Sequence, residues 1–230
     1  MSQQIRKAIF LTFKQSIKMK RILFVISLLT LVITETFAQN PAYISAMEKA
    51  VGLLSEFENT ENNKQAVSQL ERIAAAEPKE WLPNYWAAYG LVNLNYAETD
   101  ADKKDIILEK AEKFAAAAEK LQPNNDEIEV LKAYIASARM AVSPQDRWQK
   151  YGGIVGTALQ NAAKLNPENP RAALLAGQGV FYTPEAFGGG KKKSEPILQD
   201  AINKFAKFKP ASSIAPNWGE RVAKWMLSQI

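Results

Sequence analysis

The sequence predicts an all-α protein: an α-solenoid of about four helical hairpins plus a C-terminal capping helix. The first observation is a spacing. Pro78, Pro123, Pro167 and Pro210 recur at steps of 45, 44 and 43 residues. The second is a register read backwards from each proline. Two positions before stand Ala76, Leu121, Leu165 and Phe208; five before, Ile73, Ala118, Ala162 and Phe205. Eight before stand Leu70, Ala115, Leu159 and Ile202; twelve before, Ala66, Ala111, Val155 and Leu198. All sixteen are apolar in a chain that is 47% hydrophobic, so chance does not account for the agreement. Gaps of three and four put them on one helical face. The third is how each run stops. Proline has no N–H to donate, and its ring clashes with the preceding turn.

This pattern resembles the second helix of the tetratricopeptide repeat, which carries small and large apolar residues at these spacings and ends in proline. Ala66, Leu70, Ile73 and Pro78 match it, as do Ala111, Ala115, Ala118 and Pro123. The family's first-helix signature W-x-x-L-G-x-x-Y is degenerate here: Leu53 and Phe57, Trp86 and Gly90, Leu131 and Ile135, and Gly177. Gly90 to Ala111 and Gly177 to Leu198 each span 21 positions, where the family has about 12. Longer hairpins are expected, over roughly residues 41–210. The resemblance speaks for fold and not for function.

Composition removes several chemistries. The 230 residues include no Cys and no His. Disulfides, thiolate chemistry, lipid attachment at cysteine and ordinary zinc sites are excluded, as is an imidazole base. The net charge of +5 belongs to residues 1–38, with six Lys/Arg against one Asp/Glu; the remainder carries 23 of each. Nothing therefore points to a nucleic-acid partner.

Residues 1–38 read as a leader, with Met19 as the expected true start. Lys20-Arg21, the apolar run Ile22–Ile33 and Thr36-Phe37-Ala38 form a secretory signal cleaved after Ala38. The run is shorter than a membrane span, so no stable span is expected after cleavage. The Phe-Ala-Gln junction resembles leaders of Bacteroidetes-type bacteria, which implies a periplasmic or secreted protein. Residues 39–230 form the repeat domain.

Asn40-Pro41 starts the first helix, with Met47, Ala50, Val51, Leu54 and Phe57 as its apolar stripe. Glu58–Asn63 is a polar turn. The next first helix, 82–97, gathers Trp81, Tyr85, Trp86, Tyr89 and Tyr96. Aromatics there either pack between hairpins or form a ligand-facing wall. Glu98, Asp100 and Asp102 lack the glycine and distal glutamate of a calcium loop, so they read as caps. Asn124-Asn125-Asp126 caps the next helix. Ser143-Pro-Gln-Asp146 resembles a capping box. Gly152-Gly153 either admits a close neighbour or makes a bend.

Asn169-Pro170 opens a further helix, which ends at the loop Tyr182–Gly190. That loop lacks the first glycine of a phosphate-binding motif, and no strand precedes it. Its Phe187 is expected to tuck inward while the glycines supply positive φ. Lys191–Lys193 is a short basic run. The last long helix is expected to begin near Ser194, since Pro196 suits a first turn. Asn217-Trp-Gly-Glu220 reads as a capping box for the closing helix, which would shield the open end of the array.

Mapped on the family's groove, the binding candidates are Asn84, Leu91, Asn95, Glu129, Ser137, Arg171, Gln178 and Tyr182. No catalytic residue, metal ligand or cofactor is expected. The leading expectation is a non-catalytic envelope scaffold that binds a protein or peptide. The alternative is a periplasmic small-ligand binder of the kind that serves solute uptake, although those are typically anchored through a cysteine. An enzyme would need a carboxylate pair or a Ser–Lys arrangement. Oligomeric state and pathway are not readable from these residues.

Overall fold

The computed structural model describes residues 40–54 and 60–230. The leader, its cleavage site and Phe57 lie outside the described residues. Nine α-helices follow one another there: α1 (Pro41–Val51), α2 (Thr60–Ala76), α3 (Leu82–Ala97), α4 (Ala101–Leu121), α5 (Asp126–Val142), α6 (Pro144–Leu165), α7 (Pro170–Tyr182), α8 (Lys191–Lys207) and α9 (Glu220–Leu227). A 3-10 turn, Glu185–Phe187, links α7 to α8. No strand occurs among the described residues.

The marker prolines stop the helices as their chemistry requires. α2, α4 and α6 each end two residues before Pro78, Pro123 and Pro167, and α8 ends three before Pro210. Starts are set by side chains that accept from the otherwise unpaired first N–H groups. Asp100 accepts from Lys103 N at the head of α4, which accounts for the acidic loop there. Asn125 accepts from Glu127 N and Ile128 N, and Asn169 from Arg171 N and Ala172 N. α2 already begins at Thr60 and buries Asn63, so residues 60–63 of the expected polar turn are helical.

Helices pack mainly on their sequence neighbours: α3 on α4, α5 on α6, α7 on α8, with α2 against α3 and α4 against α5. Successive first helices also meet, α3 with α5 and α5 with α7. α9 packs on α8. The sparsest neighbours among these are α6 and α7. The apolar register explains the burial: Ala66, Leu70, Ala111, Ala115, Ala118, Ala162, Leu198 and Phe205 are all buried. Its last column is not. Leu121 and Leu165 are exposed, because they are final helical residues at the hairpin ends, where solvent reaches them.

Two glycines serve helix contact. A Cβ on Gly90 would lie 2.7 Å from Val67 Cγ2, and one on Gly177 would lie 2.7 Å from Leu198 Cδ2. Only a missing side chain admits those neighbours. An ion network ties α4, α5 and α6. Asp105 accepts from both Nη atoms of Arg147 and from Arg139 Nη1, each at 2.7 Å; Arg139 also holds Glu112 at 2.9 and 3.0 Å. Arg147, then Arg139, hold the Asp105 carboxyl at about 2, well below its ordinary 3.8.

Three local expectations need correction. Ser143 alone joins α5 to α6, and its hydroxyl donates to Asp146 Oδ2 instead of capping a helix N–H. α8 begins at Lys191, so Pro196 sits inside it. α9 begins only at Glu220, so the box expected at Asn217 does not form. Gly219 precedes it with φ of 104°, and a Cβ there would meet Leu174 Cδ2 at 2.8 Å. That position demands glycine twice over, for conformation and for space.

Candidate functional site

The face made by α3, α5 and α7 is largely filled by the chain itself. The segment 208–219 runs back across these helices. Trp86 Nε1 donates to Ile214 O at 2.8 Å, and Trp218 Nε1 donates to Tyr85 Oη at 2.8 Å. The Trp218 ring lies 4.9 Å from Tyr89 and 5.3 Å from Tyr134, centroid to centroid. Arg171 locks this arrangement. It is fully buried, grips Glu127 through Nε (2.7 Å) and Nη2 (2.6 Å), and places its guanidinium 4.4 Å from the Phe208 ring centre. Glu127 sits in the first turn of α5, where the helix dipole favours a carboxylate. A buried pair of this geometry is strongly destabilised when one partner is lost.

The aromatics of α3 therefore divide between the two readings. Tyr85, Trp86 and Tyr89 are core. Tyr96 is 45% exposed and its ring lies 5.9 Å from that of Tyr134. Burial first, and then the nearby Tyr182, push its phenol up; burial does the same to Tyr182. Both stay neutral donors at ordinary pH.

The eight groove candidates do not converge. Leu91, Asn84 and Asn95 are buried; Asn84 donates to Glu80 O and Asn95 to Lys104 O. Arg171 is structural, as just described. Glu129 takes Lys132 and Asn161. Ser137 bonds back to Ala133 O within α5. Gln178 and Tyr182, one helical turn apart on α7, remain at the surface. Of the eight, Tyr182 is the one directly followed by a residue that lines a hollow, Thr183. Nothing local in the sequence announces that residues 208–219 run across this face.

Two hollows remain. One, about 470 Å³, lies beside Trp86, Tyr89 and Trp218, with Asn217, Glu220 and Arg221 at its rim. It is open and mostly polar. The other, about 290 Å³, is an apolar cleft where α6 and α7 splay apart. Val155, Leu159, Leu175 and Val180 form its walls, and Gly152, Gly156, Gly179, Gly188 and Gly189 its floor. A Cβ on Gly152, Gly156 or Gly179 would meet nothing within 4 Å. These glycines lie open to whatever enters. The paired glycines of α6 thus form neither a close approach nor a break in the helix.

Three exposed rings lie close to this lining along the chain. Trp148 is 60% exposed and shares the helical face of Gly152, Val155 and Leu159. Tyr182, 61% exposed, follows Gly179 by three residues and adjoins Thr183 of the lining. Phe187, expected to tuck inward, is instead 82% exposed, on the loop whose Gly188 and Gly189 line the cleft. The loop is tied in place: Gly190 N donates to Val180 O and Gly189 N to Pro184 O. Gly188 and Gly190 do carry the expected positive φ, 83° and 110°. An apolar groove with large exposed apolar side chains nearby is the candidate site.

Such a fold and cleft define an all-helical binding protein. No protein-family model and no curated protein matches the chain. Among solved structures it is similar to the HusA haemophore from Porphyromonas gingivalis, at 35% identity and a TM-score of 0.73, over 84% of this chain and 94% of that one. The chain belongs to the family of that haemophore.

Proposed function

We propose that this protein binds haem or a related porphyrin as cargo, seating the ring in the α6–α7 cleft. The observation that carries the reading is the glycine floor of an apolar, open cleft, with exposed Trp148 and Tyr182 close to its lining along the chain. A planar macrocycle matches that surface, and aromatic neighbours add stacking. The haemophore relative supports the ligand class. With no imidazole or thiolate in the chain, and with the Tyr182 phenol held neutral, contact with the ring supplies the affinity in this reading.

This favours the small-ligand alternative over a peptide scaffold, because segment 208–219 already covers much of the face a peptide would use. The same proposal includes a tetratricopeptide-like solenoid, supported by hairpins that turn over at the four prolines. It also includes a non-catalytic role and export to the periplasm or beyond, supported by the leader pattern and the haemophore relative. Among the described residues no helix is long and apolar enough to cross a membrane.

The test is a titration of the protein with haem and with iron-free protoporphyrin, followed by absorbance and tryptophan quenching. Saturable binding of both, lost in Gly156→Leu while the fold is kept, is the expected result. Saturable binding that Gly156→Leu leaves intact would remove the ligand from this cleft.

A further inference from the structure

The cleft is apolar, but one edge carries charge. α8 opens with Lys191, Lys192 and Lys193, its first three residues, and no side chain caps its N-terminus. Cations there oppose the helix dipole, whose positive end favours acids. The three lysines have different surroundings. Lys191 donates to Gln229 O and lies over the Phe181 ring. Lys193 bends back toward the cleft: its Nζ would lie 3.7 Å from a Cβ on Gly188, and Gly188 lines that cleft. No carboxylate lies within ion-pair distance of Lys193 among the described residues. The nearest acid of the same loop, Glu185, lies instead against Gly190. An ammonium thus stands at the edge of an apolar slot without a counter-charge.

Resting on the porphyrin reading above, we propose that Lys193 is a specificity-determining residue: its ammonium pairs with a carboxylate of the bound macrocycle. The ligand class narrows accordingly, to flat apolar rings bearing acid groups at one edge. The ring meets the glycine floor and the acid meets Lys193, so charge fixes which way round the ring enters. Pairing across an exposed rim contributes modestly to affinity and more to orientation.

The experiment compares protoporphyrin with its dimethyl ester, each titrated into wild type, Lys193→Gln, Lys193→Arg and Lys192→Gln, in the same mild detergent. Wild type should prefer the free acid by about fivefold. Lys193→Gln should abolish that preference by weakening acid binding alone. Lys193→Arg should restore it, and Lys192→Gln should leave it intact. Removing a cation from a helix N-terminus does not threaten folding. Equal binding of acid and ester to wild type would overturn the pairing while leaving the porphyrin reading standing. So would a preference that survives in Lys193→Gln, or one that Lys192→Gln removes equally. Failure of both ligands to bind would defeat the two proposals together.

Discussion

Glycine does opposite work in two parts of this molecule. At Gly90 and Gly177 the missing side chain is filled by a neighbour, Val67 or Leu198, at 2.7 Å from where a Cβ would stand. At Gly152, Gly156 and Gly179 the same absence is filled by nothing within 4 Å. The first set lets helices touch. The second leaves a floor bare at the cost of helix propensity, roughly 1 kcal/mol per residue against alanine. The first set points inward, to the core; the second carries the ligand reading proposed above.

That contrast can be broken in order of size. Ala118→Arg forces a charge into a fully buried small-residue contact, and about 4 kcal/mol or more should be lost. A melting temperature equal to wild type would disprove the register on the filled side. Trp218→Ala removes the ring that closes the stack over Tyr89 and Tyr134, and about 3–5 kcal/mol should go in urea titration. Gly177→Ala should cost about 1–3 kcal/mol through overpacking against Leu198. Gly156→Ala should instead stabilise by up to about 1 kcal/mol. If both alanine variants shift stability in the same direction, the distinction between filled and bare glycines fails.

The smallest effect lies away from both sets. Asp105 is held at about 2 in the folded chain, against an ordinary 3.8. A depressed carboxyl stabilises above its unfolded value, and that contribution fades as pH falls through the folded one. Between about pH 4 and 2 wild type should lose roughly 1 kcal/mol that Asp105→Asn does not, discounted because the carboxylate is 33% exposed. Parallel pH curves for the two proteins would show that the arginines do not hold it.

The helices were legible because their causes are local. Proline stops and Asn or Asp caps act within four residues, so α3 spans the expected 82–97 and Asn125 and Asn169 cap as read. The partners of the groove candidates were less legible, because some come from far along the chain. Arg171 reads as a surface cation until Glu127, 44 residues away, takes it. Phe187 reads as a core residue, since composition says nothing of which way a tied loop turns. Sequence shows that Gly152 and Gly156 are glycines; only the packing shows whether anything stands above them.

The partners of Trp86 and Tyr85 lie 128 and 133 residues further along the chain. During synthesis α3 emerges well before the segment that covers these rings. Local hairpins can coil early, but the aromatic stack waits for almost the last segment to arrive. Until then the polypeptide presents a sticky, unfinished surface of the kind that chaperones hold, and it gains its final cohesion only when the tail comes home.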